Sequence, residues 1–505
     1  MIKRLFAGSP QRIAVGIGMT KIVRAILTVV SVMVSARYFG ATLERDVYVL
    51  SVSAVALLTQ VIYGPLNETF RIKFLHVLAE EGEDRARQSV ATLLQWVALF
   101  SLGLVLVVII WPGCMLHLLA PGFSGAQYAP IARMLAVYIP MLILTELSVL
   151  FASVLNAYHS YYLPEFFALG SVLLSIVCTV LAAPFIGIYS LVIASYLTQG
   201  IQLGLYARAL RRTGLFLWLP RLVSWRTVGP YFFFGLPLYI AYLTGQFHAV
   251  IERRVCTYLG EGNLSMLDYA RKFMDLPLTT MVGVAGSVVA PILTRQVADL
   301  NGFSASVVKF IKLFTLGAAP FCALLIVFPE ELVRLLLLRG AFKPEHIAGT
   351  AETIRWFGIG VLGLPFYTVC GQALLARNQR FAYIASSTAV LLLSAALNLL
   401  IYRWLGVATM AMTWAMVSMG GGLLMFACLP VSRRLTYIGQ LLPPLLVAVA
   451  LVGVYGMIHA CRESLAGMVR WPVPTALMEL LLSGVVAAIS LALFLPYYRR
   501  QNRLL

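Results

Sequence analysis

The sequence predicts an all-α protein that crosses a lipid bilayer about fourteen times. First, 61% of its 505 residues are hydrophobic and only 11% are charged, whereas a soluble protein is typically about a quarter charged. Second, the apolar residues form continuous runs of about 20, the length of a helix that spans the hydrocarbon layer. Third, these runs lack the polar–apolar alternation of a β-barrel. The net charge of +18 comes from basic residues in short loops between the runs, and no nucleic-acid-binding motif accompanies it.

Each predicted span is a run of that length bounded by charge, Gly or Pro. Within a few residues, the spans are 13–39, 46–66, 90–113, 129–156, 163–184, 187–209, 228–250, 265–292, 307–329, 348–374, 380–402, 405–430, 440–460 and 474–497. The first run is too long for a cleaved signal peptide, so we expect it to remain as a helix. With the N-terminus inside, cytoplasmic segments carry roughly 22 basic residues against roughly 11 outside, so both termini are expected in the cytoplasm.

A weak internal repeat at an offset of about 220 residues divides the predicted spans. Three pairs of segments share this offset: Tyr38-Phe39-Gly40 with Tyr258-Leu259-Gly260, Gly122-Phe123 with Gly340-Ala341-Phe342, and Asn156-Ala157-Tyr158 with Arg377-Asn378-Gln379. Because six spans per repeat is an even number, both repeats would have the same orientation in the membrane. The sequence therefore predicts two six-helix lobes around a central cavity, residues 1–220 and 221–435, followed by extra helices 13 and 14 in residues 436–505.

The first span carries charge inside an otherwise apolar helix. Lys21, Arg24, Thr28, Ser31 and Ser35 are spaced by three and four residues, which places them on one helix face. A charge at the centre of a spanning helix costs about 2.5–3.5 kcal/mol, so it needs a functional or structural reason. We favour a face that lines a cavity. The alternative is a packing stripe whose cations pair with acids on neighbouring helices.

The eighth span carries a second charged cluster, formed by Asp268, Arg271, Lys272 and Asp275. Spacings of three and four residues allow these side chains to pair along the helix. Internal neutralisation is therefore as well supported as a role in lining the cavity. Pro277 follows directly and is expected to kink the helix, which transporters tolerate where backbone lines a cavity.

Glu146 lies alone among apolar residues in the fourth span. It would serve either as a carrier of a proton or cation or as a structural partner of Arg24, and both interpretations stand equally. A drug/cation antiporter is therefore an alternative function, with Glu146 as the chief acid of its cavity. The surplus of cations in spans 1 and 8 argues against that alternative.

Signals of catalysis are poor along the whole chain. There is no GxSxG, HExxH, P-loop or DxD pair, the six His are scattered, and the outer loops are too short for a catalytic domain. The seven Cys form no CxxC pair and no metal-binding spacing. We therefore expect a transporter rather than an enzyme, without cofactor or metal. A membrane glycosyltransferase or polymerase is the weaker alternative.

Short segments in a fixed order resemble a known family. They are Ala36-Arg37-Tyr38-Phe39-Gly40-Ala41 with Asp46, Leu118-Leu119-Ala120-Pro121-Gly122-Phe123, Val154-Leu155-Asn156-Ala157-Tyr158, Tyr269-Ala270 with Met274-Asp275-Leu276-Pro277-Leu278, and Arg339-Gly340-Ala341-Phe342. Each segment is short, but the ordered set over most of residues 36–380 resembles the MurJ/MviN-type lipid II flippases of bacteria.

The resemblance implies the fold of the multidrug/oligosaccharidyl-lipid/polysaccharide exporters, in which two six-helix lobes open alternately to either side. It also implies location in the bacterial inner membrane and a role in peptidoglycan and cell wall synthesis. In that family, cavity cations hold the pyrophosphate of the substrate, and helices 13 and 14 form a groove for its lipid tail. Asp46, Lys272 and Asp275 fall on positions whose charge matters there.

The chain departs from the family pattern at several of these positions. The two family arginines of helix 1 fall on Ala25 and Ser31, with Arg24 adjacent, and an acid of helix 8 is replaced by Arg271. The arginine pair of helix 2 falls near Thr59-Gln60. We therefore expect a rebuilt anion site.

We expect Lys21, Arg24, Arg271 and Lys272 to bind the pyrophosphate. Ser31, Asp46 and Asp275 are the other residues expected to bind the substrate. Glu146 is the candidate for ion coupling. The expected substrate is lipid II or a polyprenyl-linked exopolysaccharide repeat unit, and both remain open. The other expected partners are membrane lipids; no nucleic acid partner is expected, and the protein is expected to act as a monomer.

Overall fold

The computed structural model describes residues 10–123, 125–158, 162–212, 225–430 and 434–466. Within these ranges every regular element is a helix, and no strand occurs. The prediction of an all-α, multi-span membrane protein is therefore confirmed. The fourteenth predicted span, 474–497, lies outside the described residues.

The chain divides into two compact units, Met1–Ser265 with Gly340–Phe342, and Met266–Arg339 with Lys343–Leu505. The predicted lobe limits at residues 220 and 435 stay a prediction. The helices of the first unit are α1 (Pro10–Phe39), α2 (Leu43–Leu58), α3 (Gly64–Glu80), α4 (Glu83–Ile110), α5 (Pro112–Leu119), α6 (Tyr128–Tyr138), α7 (Met141–Ala157), α8 (Tyr162–Ile186), α9 (Tyr189–Arg212), α10 (Trp225–Gly235) and α11 (Tyr239–Tyr258). Helix α12 (Asn263–Val284) begins in the first unit and continues into the second.

The second unit holds the remaining described helices. They are α13 (Ala290–Arg295), α14 (Leu300–Val327), α15 (Pro329–Leu336), α16 (Ile347–Val361), α17 (Leu364–Ala376), α18 (Arg380–Leu405), α19 (Ala408–Cys428) and α20 (Arg434–Ala466).

Eight helical runs among the described residues are long and apolar enough to cross a membrane, and a bent pair, α16 with α17, makes a ninth. Helices α1, α9, α11 and α12 also have spanning length, between 20 and 30 residues. They carry more polar side chains and lie where spans 1, 6, 7 and 8 were predicted. On α4, Leu99, Leu102, Leu106 and Ile110 form an exposed apolar stripe, as expected of a face that contacts lipid.

Local sequence explains how the first unit places its polar side chains. Thr42 caps the N-terminus of helix α2, because its hydroxyl accepts a hydrogen bond from the Arg45 backbone N–H. The acids in the first turn of α2 are stabilised by the positive end of the helix dipole. The helix does not run on regularly into α3. Instead a π-helical turn, Thr59–Tyr63, intervenes, directly before Pro65, which cannot donate a backbone hydrogen bond.

The core of the second unit includes the contact between α14 and α20. Its buried members are Ala319, Ala323, Phe328, Ala448, Leu451 and Tyr455. The alanines allow the two helices to approach closely, and the rings of Phe328 and Tyr455 meet edge to face at 5.9 Å. Predicted helix 13 is therefore packed along its length against α14.

Candidate functional site

The polar side chains on the charged face of α1 differ in exposure and in hydrogen bonding. Arg24 is exposed and Ser31 is half-buried. The Thr28 hydroxyl donates to the Arg24 carbonyl at 2.8 Å, so it is used within the helix. Ser35 is buried and its hydroxyl accepts from Arg45 Nε at 3.1 Å. The side chain of Lys21 lies outside what the structure describes, so its role stays a prediction.

Asp46 is fully buried and caps the start of α12. Its Oδ2 accepts from the Gly262 backbone N–H at 2.6 Å, and its Oδ1 accepts from the Ser265 backbone N–H at 2.7 Å and the Ser265 hydroxyl at 2.5 Å. A carboxylate at a helix N-terminus satisfies N–H groups that have no partner within the helix. Both oxygens are therefore used inside the protein here. This arrangement fits a role of Asp46 in positioning α12. The predicted contact of Asp46 with substrate stays a prediction.

Two glycines of the repeated segments, Gly40 and Gly340, each lie against the backbone of the other's segment. Gly40 and Gly340 both have positive φ, +57° and +59°, a conformation that L side chains rarely adopt. The Ala341 N–H donates to the Arg37 carbonyl at 2.9 Å. A Cβ on Gly40 would overlap the Ala341 carbonyl, and a Cβ on Gly340 would overlap the Arg37 carbonyl. Glycine is therefore required at both positions by the close approach of the two segments.

A matching contact joins the other members of the repeat. The Gly122 N–H donates to the Thr257 hydroxyl at 3.2 Å, and a Cβ on Gly122 would overlap the backbone between Thr257 and Tyr258. The first copy of each repeated segment thus contacts the second copy of the other segment. Reciprocal contacts of this kind are what two repeats related by a two-fold axis produce. The sequence located the segments, but not their pairing.

The charged cluster of α12 contains one of the pairs that its spacing allows. Lys272 Nζ lies 3.7 Å from Asp275 Oδ2, and these side chains are 39% and 38% exposed. Arg271 is half-buried on the same helix. An ion pair this exposed contributes little to stability, so Lys272 can exchange its partner for another anion at small cost.

Glu146 on α7 is completely buried. Its Oε2 accepts from Asn67 Nδ2 at 3.1 Å, while its Oε1 has no hydrogen-bond partner in the described part of the protein. The Thr59 hydroxyl faces the same carboxylate, but it makes no hydrogen bond of acceptable geometry with any described residue. No described cation makes an ion pair with Glu146, so the alternative of Arg24 as its partner is wrong.

Three participants were missed by sequence reasoning. Ser265 and Gly262 bind Asp46 although each lies more than 200 positions from it in the sequence. Asn67 belongs to none of the candidate sites predicted from the sequence. The available signal was polarity, since Asn67 and Ser265 interrupt or open apolar runs. Among the residues that the structure describes, no group of three His, Cys, Asp or Glu is placed to hold a metal ion.

Comparisons with known proteins agree with this architecture. The model of the family described as "Lipid II flippase MurJ" matches residues 35–484. The lipid II flippase MurJ of Burkholderia cenocepacia is 24% identical over 423 residues, which cover 77% of this chain and 78% of that protein. The probable lipid II flippase MurJ of Rhizobium meliloti is 25% identical over 451 residues, with coverage of 84% and 81%.

Two solved structures share the fold. One is a lipid II flippase MurJ in an inward closed conformation, with a TM-score of 0.80, 18% identity, and coverage of 96% of this chain and 99% of that one. The other is an inward-facing multidrug resistance transporter of the MATE family, with a TM-score of 0.65, 11% identity, and coverage of 85% and 98%. At these identities the likeness concerns the fold alone.

Proposed function

Because this chain belongs to the family of MurJ lipid II flippases, we propose that it moves lipid II across the bacterial inner membrane by alternating access. The match of the family model over residues 35–484 carries the proposal. It favours a flippase over the drug/cation antiporter, because the likeness to the MATE transporter, at 11% identity, concerns the fold alone. No bond of the substrate forms or breaks in this proposal, and the protein acts as a monomer.

The pyrophosphate of the substrate is the group that the cations of α1 and α12 would recognise. Arg24 keeps an exposed guanidinium on a helix of mostly apolar residues, where a charge is costly unless it has a function. On α12, Arg271 and Lys272 supply further cations, and Lys272 also pairs with Asp275. Arginine and lysine suit phosphate oxygens because they stay charged and donate several hydrogen bonds. Lys21 and the Ser31 hydroxyl complete the proposed set.

Both termini are proposed to lie in the cytoplasm, which puts the Gly40 and Gly122 contacts and the Asp46 cap near the outer face. Alternating access requires an outer closure that opens when the headgroup leaves. Backbone contacts at glycines suit this role because the two segments can separate without interlocked side chains. Asp46 is then a positioning residue that fixes the start of α12 while the outer side is closed.

A vesicle assay tests the proposal. The purified full-length protein is reconstituted with fluorescent lipid II, and headgroups that reach the opposite leaflet are quenched by a membrane-impermeant reagent. We expect lipid II to cross, and a polyprenyl-linked exopolysaccharide repeat unit to cross much more slowly. The reverse preference would refute lipid II as substrate, and transfer of neither lipid would refute the flippase.

The same assay tests the anion site. The double variant Lys21→Ala, Arg24→Ala should abolish transfer, since it removes the two cations of the predicted polar face of α1. Arg87→Ala is the matched control, because it removes a cation of an exposed pair with Glu83 on α4. Unchanged transfer by a well-expressed double variant would remove α1 from the site.

A further inference from the structure

The first unit contains a buried carboxylate that is not part of the proposed pyrophosphate site. Glu146 is 0% exposed, receives a single hydrogen bond from Asn67, and is paired with no described cation. Burying a carboxylate that lacks a counter-charge is strongly unfavourable. The group must therefore carry a proton or hold a cation when the unit is folded as seen here.

The surroundings of Glu146 are rich in oxygen acceptors. The Asn67 amide oxygen is buried without a described hydrogen-bond partner, and it lies two bonds from the nitrogen that contacts Glu146. The Thr59 hydroxyl is also buried, with 8% of the residue exposed, and it likewise lacks a described partner. Three oxygens without a described hydrogen-bond partner thus belong to Glu146 and to two residues that face its carboxylate. They come from three helical segments: α7, α3 and the π-helical turn.

The π-helical turn explains why Thr59 and Asn67 can share a face. In a regular α-helix, side chains eight residues apart point about 80° away from each other, at 100° per residue. The turn Thr59–Tyr63 accommodates one extra residue, which reduces the divergence to about 20°. The Tyr63 hydroxyl, hydrogen-bonded to the Ser101 hydroxyl at 2.7 Å, ties this turn to α4. The irregular segment is therefore held in place and directs two oxygens toward α7.

We propose that Glu146, Asn67 and Thr59 form a binding site for a monovalent cation with the size and hardness of Na⁺. Oxygen donors of carboxylate, amide and hydroxyl type suit a hard cation, and a single carboxylate balances a single positive charge. A proton on Oε1 would donate to only one of the neighbouring oxygens, whereas a cation is bound by the carboxylate, amide and hydroxyl oxygens together. This site does not depend on the identity of the transported lipid.

The test uses the full-length protein in detergent without any lipid substrate. Thermal unfolding is followed by tryptophan fluorescence in choline chloride, with NaCl or KCl replacing choline at constant ionic strength. A ligand that binds the folded state raises Tm in a saturable way. We expect Na⁺ to raise Tm, and Glu146→Gln to weaken the apparent Na⁺ affinity by at least about tenfold, as loss of a metal-site group does. Asn67→Leu should weaken it similarly.

Glu83→Gln is the control, since Glu83 is an acid of similar size in an exposed pair with Arg87; it should keep the Na⁺ response. If Glu146→Gln does not fold, the Na⁺ response of Thr59→Val is measured instead, and binding of radioactive Na⁺ to the unaltered protein is measured directly. A weaker response in Thr59→Val together with saturable binding would support the site, and the lack of either would overturn it. An equal Na⁺ response in Glu146→Gln would overturn the site. A Tm that responds to pH and to no cation would overturn it as well, in favour of a proton. Neither result bears on lipid transfer.

Discussion

The Asp46 cap makes a quantitative prediction about stability. In Asp46→Asn one carboxylate oxygen becomes an NH₂ group that faces a backbone N–H of Gly262 or Ser265. A buried donor left without an acceptor costs about 1–3 kcal/mol. Loss of the negative charge at the start of α12 adds about 0.3–2 kcal/mol. We therefore expect the free energy of unfolding to fall by about 2–4 kcal/mol, measured by thermal unfolding without substrate.

Glu44→Gln is the matched control for this variant. Glu44 lies in the same first turn of α2 as Asp46, but its side chain is exposed. Its replacement should change stability by less than about 0.5 kcal/mol, as most surface substitutions do. Equal stability of the two variants would refute the capping role. It would return Asp46 to the predicted contact with substrate, where its loss affects transport alone.

Two further predictions concern packing. Gly40→Ala should destabilise the protein more than Gly82→Ala: both replace a glycine with positive φ, but only a Cβ at Gly40 meets the Ala341 carbonyl. Equal Tm values in thermal unfolding would show that the close approach of the two segments is unimportant. Phe328→Ala should lower stability by about 3 kcal/mol by opening a cavity between α14 and α20, whereas Phe381→Ala, at an 85% exposed position, should change Tm little. A small effect of Phe328→Ala would mean that this contact is loosely packed.

The fold could be predicted because the thickness of a bilayer determines the length of the apolar runs that cross it. Spans were identified at the positions of helices as different as α4 and α12. The pair between Lys272 and Asp275 was also predictable, since spacing of three residues along one helix is local information. The reciprocal contacts of Gly40 and Gly122 were only half predictable. Their segments repeat, but which copy meets which depends on tertiary packing.

The buried polar contacts could not be read from the sequence. Asp46 and Ser265 are brought together by the arrangement of several helices, and no local sequence pattern predicts their contact. The π-helical turn at Thr59 is equally hidden, because one inserted residue changes the facing of side chains without changing composition. Glu146 stood out as an isolated acid, whereas its partner Asn67 became meaningful only in the structure.

The central claim, that this chain is a lipid II flippase, is tested most directly in living cells. The resident lipid II flippase of a bacterium is depleted while this chain is expressed, and a membrane-impermeant enzyme that cleaves lipid II is added outside. The amount of lipid II cleaved is then measured. We predict that the chain restores cleavage to the level before depletion, and that the Lys21→Ala, Arg24→Ala variant does not. Lipid II that stays protected, although the unaltered chain is present in the membrane, would contradict the claim.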